Sequence, residues 1–170
     1  GQLEEALLYL RKIKTYNHLK ILICQKKFTN MKKILLIGGS GQLGYELKRT
    51  LPFIGEVHVL KKSDFNYLDF KKLSTYIEEL RPRFIINASA YTNVDKAESE
   101  IENAYLLNEQ LPEQLSVLSK KIGASFIHYS TDYVFEGNAK VPYKEIDPVN
   151  PQCIYGKSKL AGENKIIAIN

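Results

Sequence analysis

Short, wholly apolar runs alternate along this chain with stretches whose apolar residues return every third or fourth position. Ile34 to Ile37 is a β-branched and leucine-rich run of strand length, the kind that a strand covered on both faces requires. Glu56-Val-His-Val-Leu60, Phe84-Ile-Ile-Asn-Ala-Ser-Ala90 and Ser125-Phe-Ile-His-Tyr129 read as further strands. Helical spacing covers Gln42 to about Leu51, then Leu73, Tyr76, Ile77 and Leu80, then Leu107, Leu111, Leu115 and Leu118 within Ala104 to Lys121. Pro112 interrupts the last pattern and is expected to kink or split that helix. The order β-α-β-α-β-α-β, with crossovers long enough for parallel pairing, predicts half of a doubly wound α/β sheet.

Residues 1 to 30 break this rhythm. Leu3, Ala6, Leu7, Leu10 and Ile13 fit a short amphipathic helix, and Leu19 to Ile23 form a brief apolar run. Met31-Lys-Lys stands where the first strand should be entered. Met31 is therefore expected to be the natural start, with 1 to 30 an extension outside a domain of 31 to 170; a helix docked on the sheet edge is the other reading.

Composition narrows the class. With 170 residues, 44% of them apolar, the chain has room for one proper core. The formal charge of +5 raises nucleic acid as a partner, but six of the Lys and Arg, against two Glu, fall in residues 1 to 30, and the remainder carries 18 against 17. No basic groove with interleaved aromatics is visible, so nucleic acid is not expected. No apolar run reaches the ~18 residues that span a bilayer, and the N-terminus lacks signal-peptide order, so no membrane partner is expected. Cys24 and Cys153 stand far apart, outside any metal-binding spacing, and are expected as reduced thiols in the cytoplasm with no metal site.

Gly38, Gly41 and Gly44 follow the first strand as G-x-x-G-x-x-G and open the first helix. Glycines there let the backbone turn tightly and approach a pyrophosphate, while the helix N-terminus offers free N–H groups and a positive dipole end. Lys61 and Lys62 directly follow the second strand, where an acid would bond the 2′-hydroxyl of NAD and a base would favour the 2′-phosphate of NADP. NADP(H) is thus favoured and NAD(H) stays open, because point charges specify less than a planar Arg fork. Two solvated loop lysines are the plain alternative. The small residues Ala88-Ser-Ala90 at the end of the third strand leave space for a flat ligand against the backbone.

Ser130-Thr-Asp132 lies at the C-terminal end of the fourth strand, where open α/β sheets place their sites. Tyr155-Gly-Lys-Ser-Lys159 then begins a helix, and Tyr and Lys at i and i+4 share a face. An ammonium beneath a phenol stabilises the phenolate and brings proton exchange closer to neutral pH. Alone this pair is a common surface pattern. Behind a glycine turn, and 24 residues after Thr131, it becomes specific.

These residues resemble the extended short-chain dehydrogenase/reductases, a Rossmann-like family, and within it the dTDP-4-dehydrorhamnose reductases. The resemblance runs through Gly38-x-x-Gly-Gln-Leu-Gly44, Arg81-Pro82 before Ile85-Ile-Asn-Ala88, Val94-Asp-Lys-Ala-Glu-Ser-Glu100, His128-Tyr-Ser-Thr-Asp-Tyr-Val-Phe135 and Tyr155-Gly-Lys-Ser-Lys-Leu-Ala-Gly-Glu163. It implies that Gly38, Gly41, Gln42, Leu43 and Gly44 hold the pyrophosphate, that Asp69 and Phe70 border the adenine, and that Ala90, Tyr91 and Thr92 lie along the dinucleotide. Tyr129 would stand near the nicotinamide. Thr131 would orient the sugar carbonyl with Asp132 beside it, Tyr155 would donate the proton, and Lys159 would bond the ribose and tune Tyr155.

The implied reaction is reduction of a 4-keto dTDP-sugar to a 6-deoxy sugar nucleotide. Related 4,6-dehydratases carry an acid after the Thr-Asp pair, where this chain has Tyr133. A 4-epimerase, a reductase of another sugar nucleotide and a non-catalytic NADP-binding regulatory subunit remain open, as does a homodimer. The family continues for over a hundred residues beyond position 170. The sheet is accordingly expected to be truncated before a C-terminal substrate domain, and these residues alone to be inactive.

Overall fold

The computed structural model describes residues 32–61, 66 and 68–169. The expectations for residues 1 to 30 and for Lys62 lie outside them. Four strands, β1 (Lys33–Ile37), β2 (Glu56–Leu60), β3 (Phe84–Asn87) and β4 (Ser125–His128), form one parallel sheet in the order β2-β1-β3-β4. Ile37 pairs with Leu60 on one side and Asn87 on the other, and Asn87 in turn faces His128. The C-terminal ends of all four strands therefore line up on one edge.

The unbroken apolar run of β1 has the two-sided burial that its composition predicts. Leu35 and Ile37 face a core with Leu60, Leu73, Ile77, Ile85, Leu111, Leu115 and Leu118, while Ile34 and Leu36 face a second core with Leu51 and Ile86. Burial of each such side chain contributes about 1.5–3 kcal/mol. Helix α1 (Gln42–Thr50), continued by a 3₁₀ turn at Leu51–Phe53, lies on the second face. Helix α2 (Phe70–Leu80) lies on the first. It ends on Arg81 in the left-handed region at φ 51° just before Pro82, which cannot continue a helix.

A short helix α3 (Val94–Ala97), capped by Asn93, precedes the long helical stretch. That stretch is divided into α4 (Ile101–Tyr105), a π-helical segment (Leu106–Gln110) and α5 (Leu111–Ile122). Pro112 does perturb the helix, but one turn earlier than its own position. A proline lacks the N–H that would bond the carbonyl four residues back, here Asn108, and its ring crowds that carbonyl. The wide turn at Leu106–Gln110 accommodates both effects. The last helix, α6 (Ile154–Ile169), packs on this turn, where a Cβ at Gly162 would collide with the Asn108 carbonyl. No helix among the described residues is long and apolar enough to cross a membrane.

Candidate active site

The chain passes from β1 to β2 on one side and to β3 on the other, so a crevice opens beyond the C-terminal ends of β1 and β3. The glycine turn stands there. Gly38 has φ +82°, a conformation that L side chains rarely adopt, and its Cα lies against the Ala88–Ser89 backbone. Gly41 N–H donates to the Gly38 carbonyl at 3.1 Å, and Tyr45 N–H to the Gly41 carbonyl at 2.8 Å, which starts α1. Gly41 is the N-cap, and no side chain caps this nine-residue helix. Gly41, Gln42 and Leu43 are exposed and Gly44 is buried. A Cβ on Gly44 would overlap the Gly38 carbonyl, whereas one on Gly41 would meet nothing nearer than that oxygen at 3.6 Å. Gly44 thus packs the helix on the turn, and Gly41 keeps the turn's outer face open. An open glycine beside an uncapped helix N-terminus fits a dinucleotide diphosphate.

Ala90, Tyr91 and Thr92 follow β3. Buried Asn108 holds the Tyr91 backbone from both directions: its Oδ1 accepts from Tyr91 N–H at 2.8 Å and its Nδ2 donates to the Tyr91 carbonyl at 3.1 Å. The Tyr91 hydroxyl donates to Glu100 at 2.8 Å, and desolvation together with that carboxylate raises its pKa. Lys61 is exposed at the end of β2. Asp69 caps α2, accepting from Lys72 N–H at 3.2 Å, a bond that holds its carboxyl below the usual range. Phe70 packs against the first core.

At the end of β4, Thr131 Oγ1 accepts from Tyr133 N–H at 3.3 Å and donates to Asp132 at 3.2 Å, starting a 3₁₀ turn at Asp132–Val134. Ser130 donates to Glu163 on α6. Helix α6 begins against the same turn. The Glu98 carboxylate caps it by accepting from Ile154 N–H at 2.8 Å, and the Tyr155 ring meets Tyr133 edge-on at 5.4 Å. One turn on, Lys159 is only 2% exposed, its Nζ 2.5 Å from the Tyr129 carbonyl oxygen and 3.3 Å from His128 Nε2. Thr131, Tyr155 and Lys159 thus share one edge, as the spacing predicts. The ammonium, however, is directed at Tyr129 and His128, with no hydrogen bond to the Tyr155 hydroxyl among the described residues: a buried cation takes the carbonyl acceptor within reach.

Burial lowers the Lys159 pKa from 10.5 to about 8, opposed by Glu163. Burial and then the Lys159 charge lower the His128 pKa from 6.5 to about 3. The unfolded chain therefore takes up a proton that the native ring refuses, and stability falls as pH drops from 6.5 toward 3. Near pH 5 the loss is on the order of 2 kcal/mol, or about 4–8 °C in melting midpoint relative to pH 7. His128→Phe should flatten that dependence in thermal melts. An unchanged slope in the variant would remove His128 as its source.

Asn108 and His128 carry no role in the sequence reading. Asn108 is wholly buried, links Tyr91 to Ser158 Oγ at 3.0 Å, and thereby ties the β3 loop to α6. Its sequence signal is faint: a polar residue between Leu107 and Leu111, four before Pro112. Cys153 is a free thiol, and among the described residues no three His, Cys, Asp or Glu are grouped to hold a metal. A cavity of about 360 Å³ lined by Glu136, Asn138, Tyr143 and Asp147 among others contains none of the candidate residues.

The family model described as RmlD substrate binding domain matches residues 31–170. The chain belongs to this family. It is 43% identical over 137 residues to the dTDP-4-dehydrorhamnose reductase of Salmonella typhimurium, a match that covers 78% of this chain and 46% of the relative. Among solved structures, a dTDP-4-dehydrorhamnose reductase from Clostridium acetobutylicum superposes with a TM-score of 0.78 at 40% identity, over 81% of this chain and 50% of that one. The Bacillus anthracis dTDP-4-dehydrorhamnose reductase in complex with NADP gives 0.79 at 33% identity, over 82% and 50%. The chain thus spans about half the length of the relatives it matches. Family membership agrees with the Rossmann-like sheet.

Proposed function

We propose that the full-length parent of this chain reduces the 4-keto group of dTDP-4-dehydro-L-rhamnose to dTDP-L-rhamnose, with NADP(H) preferred and NAD(H) as the other candidate carrier. The observation that carries this reading is the convergence of Thr131, Tyr155 and Lys159 at the end of β4, on the sheet edge that also bears the open glycine turn. Relatives named dTDP-4-dehydrorhamnose reductase, one of them bound to NADP, support the substrate and the cofactor.

When bound, the dinucleotide supplies the hydride. Gly41, Gln42 and Leu43 would hold its diphosphate, with Gly38 and Gly44 shaping the turn. Lys61 would meet the adenosine ribose and its phosphate, Asp69 and Phe70 the adenine, and Ala90, Tyr91, Thr92 and Tyr129 would line its length. Thr131 would bond the sugar carbonyl with Asp132 beside it, and the Tyr155 hydroxyl would give its proton to the carbonyl oxygen. Lys159 would add positive charge beside the developing oxyanion. At neutral pH it remains mostly protonated, since burial brings its pKa down to about 8.

The test is NADPH oxidation by the parent with dTDP-4-dehydro-L-rhamnose, followed to stoichiometric dTDP-L-rhamnose. Tight NADPH binding without turnover would favour a regulatory subunit. Turnover of a different sugar nucleotide alone would move the assignment to another reductase or an epimerase.

A further inference from the structure

His128 is a strand residue that ought to be filling space. It pairs with Asn87 across β3 and β4, stacks on Phe126 at 6.1 Å between ring centroids, and is partly buried. Its two nitrogens nevertheless face donors. Asn87 Nδ2 lies 3.2 Å from Nδ1, and Lys159 Nζ lies 3.3 Å from Nε2. A protonated ring would set an N–H against each of them. A neutral ring has a single lone pair to offer.

The tautomer follows from comparing the two donors. A bond donated by an ammonium is roughly twice as strong as one between neutral groups. The proton therefore sits on Nδ1, and the Nε2 lone pair points at Lys159. We propose that His128 is a positioning residue for the reaction: as a neutral acceptor it holds the Lys159 ammonium, jointly with the Tyr129 carbonyl, in the place and charge state that the proton donor Tyr155 requires. This rests on the reductase reading above.

The surrounding charges agree with this assignment. Glu163, one turn further along α6, favours the ammonium but is itself bonded to Ser130. Among the described hydrogen bonds and ring contacts, the ring meets the neutral Asn87 from β3 and the aromatic Phe126 from β4. Among the described hydrogen bonds, His128 is thus the one side chain that accepts from Lys159 Nζ. Removing it leaves the ammonium with the Tyr129 carbonyl alone. A hydrogen bond to the charged form favours that form, so its loss drives Lys159 toward the neutral amine.

The test has two arms in the full-length parent. Ring ¹⁵N NMR of selectively labelled histidine should show His128 protonated at Nδ1 and bare at Nε2, without titration across pH 5 to 8; a proton on Nε2 overturns the proposal whatever the variants do. In steady-state kinetics, His128→Phe keeps the stacking but loses the acceptor. It should lower kcat roughly tenfold, shift the alkaline limb of the pH profile to lower pH, and change KM for NADPH less than kcat. His128→Gln, which can still accept, should recover most of kcat and restore the limb. A His128→Phe enzyme with wild-type kcat and pH profile overturns the proposal, as does a Gln variant no better than Phe. If the parent does not turn over the rhamnose precursor, the reductase reading fails, while the ring tautomer and the ¹⁵Nζ titration of Lys159 still decide whether the contact exists.

Discussion

Tyr155→Phe in the full-length parent is expected to lower kcat for the sugar nucleotide by roughly 10²- to 10⁴-fold, the range by which a positioned proton donor accelerates such a step. Folding and NADPH affinity should stay near wild type. The ring meets Tyr133 edge-on, a contact that a phenylalanine ring can also make, and among the described residues no hydrogen bond of the fold runs through the hydroxyl. The substitution therefore removes one O–H and little else. Melting midpoint, NADPH titration and kcat measured on the same preparation separate the three quantities. A variant that retains kcat within about threefold would show that the proton comes from another group, with Asp132, bonded to Thr131 at 3.2 Å, as the neighbour to replace next.

The contrast between Tyr155 and its helix partner marks how far local pattern reaches. Tyr155 and Lys159 are legible because i and i+4 on a helix must share a face, and the glycine turn because a strand-to-helix crossing at this length has few solutions. The strand cores were equally open to reading, since β1 is apolar at every position from Ile34 to Ile37 and is buried on both faces as that pattern requires. What the pattern does not contain is where the ammonium goes. Its partners, 30 and 31 residues away, are the last residue of β4 and the one that follows it, and only the register of that strand against β3 brings them under α6.

Asn108 shows the same limit from the other side. Pro112 announces a disturbed helix, but the disturbance falls on the carbonyl four residues earlier, where a π turn divides the helix. The wide turn allows Asn108 to reach Tyr91 and Ser158 together, and the close approach of α6 at Gly162 completes the joint. None of these contacts has a local periodicity. Asp69 is the reverse case: the resemblance implies a place beside the adenine, and the structure gives its carboxylate the local task of capping α2. A cap and a ligand contact are compatible for a carboxylate with two oxygens, since Lys72 N–H uses only Oδ1 and the Lys72 ammonium stands 3.4 Å from Oδ2.

The glycine turn yields the sharpest separation between folding and binding. Gly44→Ala is expected to cost about 3 kcal/mol or more, because its Cβ would overlap the Gly38 carbonyl and neither backbone can move without lifting α1 off the sheet. Gly38→Ala should be as damaging, for it adds a left-handed φ of +82° to a collision with the Ser89 backbone. Gly41→Ala has neither fault: its φ of −75° suits any residue, and the nearest atom to the added methyl is 3.6 Å away. Its stability should therefore stay within about 1 kcal/mol of wild type, the scale of a changed N-cap. The added methyl does project into the open face where a diphosphate would meet the backbone, so NADPH affinity should fall roughly tenfold or more. Chemical denaturation and NADPH titration of the three variants read the two effects independently. A stable Gly41→Ala protein that binds NADPH as tightly as wild type would move the diphosphate off this turn, and with it the assignment of Gln42 and Leu43 as its donors.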